Sequence, residues 1–565
     1  MAVAGTLVTK EYKNFRGVDF TNVEVKQYRS PDALNVWRNY KHKGEGITTR
    51  PDIELYESFD DSVFGLFFYE IEGNTQLIVH SGTKLYKIDN GTRNVIYNGM
   101  NEQKSLFFVY EKSLFIKDGK NYLEYNGKTC EEVVGYVPIT TTSKSPTGEG
   151  KTFQDANMLT GVRKNRFVAD GISTEYFVDV ESFDTDYKVR VWVNDEELTS
   201  GFSTDASTGK IIFETAPAVP DTVGQDNVIV EFKKEILGER EKINKCTLLE
   251  VFDNRVFFAG NPDYPNKLWH CSLEDPTYCS DLDKYTEGID DSKIKALVSG
   301  NNALWVMKEP SQSNTTIFYH NPTIDDETGK VYPSIHSSIS TGCTSTGINF
   351  NDDICFFSDR GLEAISGDVT TEQVLAHRST FVDKRLLNET NYNNLLLEEW
   401  EGYLLVFVDN KVYLADSQAI ATNINHNEYE WFYWELSEAV ICTRVKNGTL
   451  YIGTNNGIYT LTKADTEIDA YWTTPLDEFE YPQMQKTTNK RGCVADMEGE
   501  EITISVKVDN RSFEEINTYQ NTKGYVVPRI KKKKWKGLQL KFSSSKPFSL
   551  YSCTLESYIG NYVKR

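Results

Sequence analysis

The stretch NGTLYIGTNNGIYTLT, Asn447–Thr462, decides how the rest of the chain is read. Leu450-Tyr451-Ile452 and Ile458-Tyr459-Thr460-Leu461 alternate apolar and polar residues, the period of a half-buried strand. Between them Asn455-Asn456-Gly457 is a turn whose residues accept the positive φ of a tight hairpin. One hairpin is only marginally stable in water, so it must pack against something else.

The chain repeats this pattern. Related stretches begin at Leu77 (LIVHSGTKLYKID), Leu114, Val256, Leu304, Ile354 and Leu404, which with Leu450 makes seven copies. Short strands precede most of them, at Ser105–Tyr110, Thr247–Phe252, Asn394–Glu399 and Ala439–Val445. The copies recur at roughly 37 to 50 residues, the period of a β-propeller blade with about three to four strands. Phe67, Phe108, Phe257, Trp305, Phe356, Phe407 and Tyr451 are expected in the core, where neighbouring blades bury one another's faces. The alternative is a set of unrelated hairpins in two sandwiches. The step from Leu114 to Val256 is too long by roughly ninety residues, the size of one small β domain.

The fold expected is therefore all-β: a propeller of about seven blades, an inserted small β-sandwich and a C-terminal β-sandwich. Residues 1–50 form an N-terminal arm in which Ala33, Leu34, Val36 and Trp37 make either a helical turn or a ring-closing strand. Blades one and two take 51–149, the insertion 150–240, blades three to seven 241–465, and the C-terminal sandwich 466–565. Strands of the insertion are expected at Arg166–Val168, Glu175–Val180, Lys188–Val193, Lys210–Glu214 and Asn227–Phe232, and its two ends should meet. C-terminal strands fall at Glu501–Val508, Tyr525–Ile530, Trp535–Phe542 and Leu550–Tyr558. The longest helical pattern is Thr371–Leu387, with Val374, Leu375, Val382 and Leu386 on one face.

The 565 residues carry a formal charge of −22, which argues against a non-specific nucleic-acid coat. It suits a soluble assembly, or a passage through which DNA slides without sticking. Aromatic residues make up 13%, in keeping with half-buried β surfaces. No apolar run reaches the ~18 residues of a membrane span. The opening residues lack the apolar core of a secretory signal. Nine scattered cysteines include no CxxC pair, and the odd number argues against a complete disulfide framework. Cys271 and Cys279 are the nearest pair and fit no zinc spacing. Buried free thiols formed in a reducing compartment are expected.

Chemistry-bearing patterns are few. The seven histidines show neither HxH nor HExxH spacing. Ser358-Asp359-Arg360-Gly361 has half of an Asp-box turn, lacks its tryptophan, and reads as a hairpin turn. Asp281, Asp283, Asp290 and Asp291 lack the EF-hand glycine and terminal glutamate, and read as a solvated loop. Neither GxxxxGK[ST] nor GxSxG occurs. No catalytic, cofactor-binding or metal-ligating residue is assigned. The one concentrated basic feature is RIKKKKWKGLQLKF, Arg529–Phe542, where Lys531 to Lys534 and Lys536 flank Trp535. It is either an edge strand whose lysines block mispairing or a grip for an acidic neighbouring subunit, ahead of nucleic acid.

NFRGVDF (Asn14–Phe20), SPDALN (Ser30–Asn35) and TRP (Thr49–Pro51) resemble the opening of bacteriophage packaged-DNA stabilisation and tail nozzle proteins. FDNRVFFAGNPDYPNKLW (Phe252–Trp269) followed by EDPTYCSDLD (Glu274–Asp283) is similar to the most distinctive stretch of that family. GCTSTG (Gly342–Gly347), FFSDRGLEAISG (Phe356–Gly367), WEGYLLVFVDNKVYLADS (Trp400–Ser417), YEWFYW (Tyr429–Trp434) and YIGNYVKR (Tyr558–Arg565) extend the likeness over most of the chain. The resemblance implies a virion structural protein, made in the host cytoplasm and built into the tail or head–tail junction. It implies a homo-oligomeric ring, commonly a hexamer, that touches other neck and tail proteins such as an adaptor or tail fibre. Double-stranded DNA would pass through transiently, with no enzyme activity and no cofactor. The alternative from the residues is a tail adhesion protein that binds host-surface carbohydrate through exposed Tyr and Trp. A propeller hydrolase is the third reading.

Overall fold

The structure is a computed structural model that describes residues 5–41, 46–313, 315–325, 329–366, 373–423, 426–462 and 467–560. The chain divides into two compact units. One comprises Met1–Phe68, Val79–Gly82 and Thr341–Arg565, the other Tyr69–Ile78 and Thr83–Ser340.

Seven four-stranded antiparallel sheets are present among the described residues, one for each copy of the repeat. Their first strands are Val63–Ile71, Leu106–Tyr110, Leu248–Phe252, Ile294–Gly300, Gly347–Phe350, Leu396–Trp400 and Cys442–Lys446. Each is an up-and-down meander, the blade of an all-β propeller fold. The last sheet takes its fourth strand from near the chain's start: Asp52–Ser58 lies antiparallel to Gly457–Thr462. Joining early and late segments in one sheet spares the blade two open edges.

Burial follows the alternation of the repeat. Phe257, Trp305 and Phe356 are fully buried, and Phe67, Phe108 and Phe407 nearly so. Tyr451 is only half-buried. Its ring meets Tyr56 and Phe68 edge-on at 5.4 and 4.8 Å, while its neighbours Leu450 and Ile452 point to the core. The turn of this hairpin also differs from expectation. Asn455 and Asn456 keep negative φ, and of the three turn residues Gly457 alone is positive, at +159°. Thr454 closes the loop instead, its hydroxyl donating to Gly457 O at 3.0 Å.

In the unit with the N-terminus, Ala33–Trp37 neither closes the ring nor forms a helical turn. Asn35 adopts φ +55° and splits the segment into two short strands. Ala33–Leu34 pairs with Tyr471–Trp472, and Val36–Trp37 with Thr48–Thr49. Burial of Trp37 sets this placement: its ring lies 5.3 Å from Trp400 and 5.6 Å from Trp434. These strands, with Thr6–Lys13, join the C-terminal strands in one ten-stranded sheet. The domain expected over 466–565 thus also draws on residues of the arm expected over 1–50. Its longest strands are Lys486–Val508, Glu514–Val526 and Phe548–Ile559. The strand expected at Tyr525–Ile530 ends at Val526.

The helical pattern over Thr371–Leu387 is overridden. Thr371 and Glu372 lie outside the described residues, Val374–His377 is the outer strand of the fifth blade, and only Asp383–Leu386 makes a helical turn. The free edge of Gly361–Ser366 takes up the first part by four paired positions.

In the other unit, the insertion has a six-stranded sheet facing a three-stranded one. Phe167, Tyr176, Val191, Ile211, Phe213 and Phe232 pack between them. It begins earlier than 150, because Ile139–Lys144 pairs in parallel with Val162–Phe167. Its ends meet: Arg240 Nη2 donates to Val133 O at 2.9 Å. At Asn194-Asp195 both residues have positive φ, +50° and +65°, the geometry of a tight type I′ hairpin.

Candidate functional site: a lysine tract on an edge strand

Val527–Lys532 is irregular, and Lys533–Trp535 forms a three-residue strand against Lys486–Thr487 of the long C-terminal strand. Among the described residues it pairs on that side alone. Lys486 faces Trp535 and Thr487 faces Lys533, so Lys534 is an extra residue, a bulge, with φ +57°. The bulge has a direct consequence. Trp535 turns inward, buried against Phe479 at 5.6 Å, while Lys533 and Lys534 both remain exposed. Below it the buried Lys486 ammonium donates to Tyr481 O, Met484 O and Lys536 O at 2.7, 3.1 and 2.7 Å, and fixes the end of the tract.

Lys532 is paired with Glu514, whereas Lys531, Lys533, Lys534 and Lys536 make no ion pair among the described residues. Lysines and a bulge on a short edge strand are both devices against edge-to-edge pairing. The four free ammonium groups also make a local attraction for anions on a chain of charge −22.

The other sequence candidates separate. Ser358-Asp359-Arg360-Gly361 is a two-residue hairpin turn, with Ser358 opposite Gly361. Asp281 binds Lys242 and Lys284 at 3.1 and 2.7 Å, whereas Asp290 binds Lys308 at 3.1 Å. Burial pushes the Asp283 carboxyl up, and Asp291 is exposed. Hydrogen bonds led by the Ser292 hydroxyl hold Asp290 well below the usual carboxylate range. Among the described residues no group of three His, Cys, Asp or Glu is placed to hold a metal ion.

His80 and His270 are buried against carbonyls, Gly82 O at 2.8 Å and Cys271 O at 3.0 Å. Burial pushes His270 down to about 4. His320 lies between Glu287 Oε1 at 3.0 Å and Tyr332 O. His377 lies between Asp383 Oδ2 at 2.6 Å and Glu363 Oε1 at 3.2 Å. Ser379 donates to the other oxygen of Asp383, so the hydroxyl faces the carboxylate and not the imidazole. That order gives no activated nucleophile, which needs the base beside the hydroxyl. His336 is exposed; His42 and the His426 side chain lie outside the described residues.

All nine cysteines are free and buried. Two pairs approach: Cys271 and Cys279 at 3.0 Å, Cys493 and Cys553 at 4.0 Å between sulfurs. Sequence spacing indicated only the first. The buried Arg29–Glu430 ion pair and the buried Glu287–His320 contact carry no sequence signal, because their members lie far apart in the chain.

No family model and no curated protein matches the chain. Among solved structures it is similar to BamB from Moraxella catarrhalis, at 11% identity over 76% of this chain and 96% of that one, TM-score 0.31. BBS1N in complex with ARL6DN matches at 11% identity over 74% and 98%, TM-score 0.27. An exo-β-1,3-galactanase from Phanerochaete chrysosporium matches at 9% over 55% and 94%, TM-score 0.21. The chain is an all-β propeller protein by its seven four-stranded sheets.

Proposed function

We propose that this protein is a structural component of a bacteriophage virion, a ring-forming tail nozzle or neck subunit. In this reading several copies line or close the DNA conduit, retain the packaged genome and permit its ejection. The chain itself catalyses nothing. The observation that carries the reading is FDNRVFFAGNPDYPNKLW followed by EDPTYCSDLD.

Several turns of that stretch are braced by its own residues. Asp253 and Asn254 form the positive-φ hairpin of the third blade, and Asn261 and Asn266 brace neighbouring carbonyls at 2.8 and 2.9 Å. The acidic surface is consistent with DNA that must slide without sticking. The test is mass spectrometry and reconstruction of purified particles. Density for this chain at the neck or tail is expected, and its absence from both would end the reading.

A further inference from the structure

In the unit that holds the C-terminal sheet, a cleft of about 660 Å³ gathers residues distant in sequence. Its walls carry four cations, Lys384, Arg385, Lys411 and Lys507, against two carboxylates, Asp32 and Glu389. Both carboxylates are already engaged. Glu389 accepts from Lys411 at 2.5 Å and from the Tyr413 hydroxyl at 2.6 Å, and Asp32 from the Tyr471 hydroxyl at 3.0 Å. Lys384, Arg385 and Lys507 form no ion pair among the described residues.

The arginine is held in place. Its guanidinium lies over the Tyr433 ring at 4.0 Å and near the Phe20 ring at 5.0 Å. Stacking fixes the plane of the group and leaves its N–H edges free, the arrangement that receives two oxygens of one anion. At the mouth Phe513 has Lys507 at 5.8 Å and Lys541 at 6.0 Å from its ring. Outside the Lys411–Glu389 pair, three cations face the single carboxylate of Asp32, and in a chain with net charge −22 this is a local inversion of its field.

We propose that this cleft binds a phosphate monoester. The surplus of two positive charges matches the charge of about −1.5 to −2 that such a group carries near neutral pH, whereas one carboxylate would leave it half-compensated. The cleft is within the range of small-ligand sites, about 300–1,000 Å³, and is too small for a duplex. Inorganic phosphate, a free nucleotide and the 5′-phosphate end of a nucleic acid share this chemistry. The inference stands apart from the virion reading.

Isothermal titration of the full chain at low ionic strength tests it. The probes are inorganic phosphate, a deoxynucleoside 5′-monophosphate, and a 5′-phosphorylated oligonucleotide beside its 5′-hydroxyl twin. Saturable binding is expected, weakened at least tenfold in Lys384→Gln/Lys507→Gln and severalfold in Arg385→Lys. Lys384 is exposed and Lys507 half-buried, and circular dichroism with the thermal midpoint checks that the fold is kept. Preference for the phosphorylated oligonucleotide over its twin assigns a nucleic-acid end, whereas binding of the small probes alone assigns a free metabolite. Absence of saturable binding, equal binding by the double variant, or tighter binding of a polyglutamate peptide would overturn the proposal.

Discussion

Arg29 grips Glu430 across 401 positions of sequence, Nε to Oε2 at 2.8 Å and Nη2 to Oε1 at 2.7 Å, with both side chains buried. The guanidinium also lies 3.7 Å from the centroid of the Phe381 ring. Burial pushes the Glu430 carboxyl up against the pull of Arg29. Removing one partner leaves the other charge buried alone. Glu430→Gln should therefore lose about 3–5 kcal/mol, and Arg29→Met a similar amount, in urea unfolding of the purified chain. Replacing both together with Met and Leu should cost less than either single change; a simple sum of the two losses would contradict the pairing.

His377 supplies a pH dependence. Burial alone would lower it, but hydrogen bonds to Asp383 and Glu363 raise it from 6.5 to about 10. A folded value above the unfolded one stabilises fully below about pH 6.5, and that stabilisation fades as pH rises toward 10. The difference in denaturation midpoint between the parent and His377→Gln should be constant below pH 6 and shrink steadily above 6.5. A difference that does not change from pH 6 to 10 would refute the assignment.

Cys271 and Cys279 stand ready to bridge. Both are fully buried, and burial pushes the Cys271 thiol well above its ordinary range, so little thiolate is available to react. With oxidised glutathione the native protein should lose two titratable thiols slowly, and faster in mild denaturant. Peptide mapping should place the new bond at 271–279 and show it absent in Cys279→Ser. The closed loop is short, so the bond should add about 2–3 kcal/mol, read as a rise in thermal midpoint that dithiothreitol reverses.

The lysine tract separates its two readings by aggregation. If Lys533 guards the edge, Lys533→Val should leave the thermal midpoint nearly unchanged but raise light scattering on storage, because the exposed strand becomes a template for pairing. Trp535→Ala, in contrast, should cost about 3–5 kcal/mol by emptying a core position. Scattering equal to that of the parent would remove the edge-guard role.

Much of the fold was legible in the chain. A repeat of alternating strands with turn residues between them marks seven copies, and seven four-stranded sheets stand at those places. The insertion was visible as a break in the period; its strands at 175–177, 190–193 and 210–213 fall within the expected windows, and that at 228–233 runs one residue past its own. Strand periodicity is local, and so is the turn chemistry that bounds it, which is why one sequence carried both. Tyr451 shows the limit even there. The alternation marks which residues share a face but not how deeply a neighbour covers it.

The pairing of remote segments belongs to the tertiary structure alone. Nothing in Ala33–Trp37 announces Trp400 and Trp434 as neighbours, and Asp52–Ser58 does not name Gly457–Thr462 as its partner. The same holds for the cleft of Lys384, Arg385 and Lys507, whose members come from a helical turn and a strand more than a hundred positions apart. By itself the sequence determined the number and kind of the β modules, because each repeat follows from local periodicity and turn residues. Only the folded chain decided which edges meet and where unpaired charge gathers, because those depend on distances in space that burial of large aromatic side chains sets.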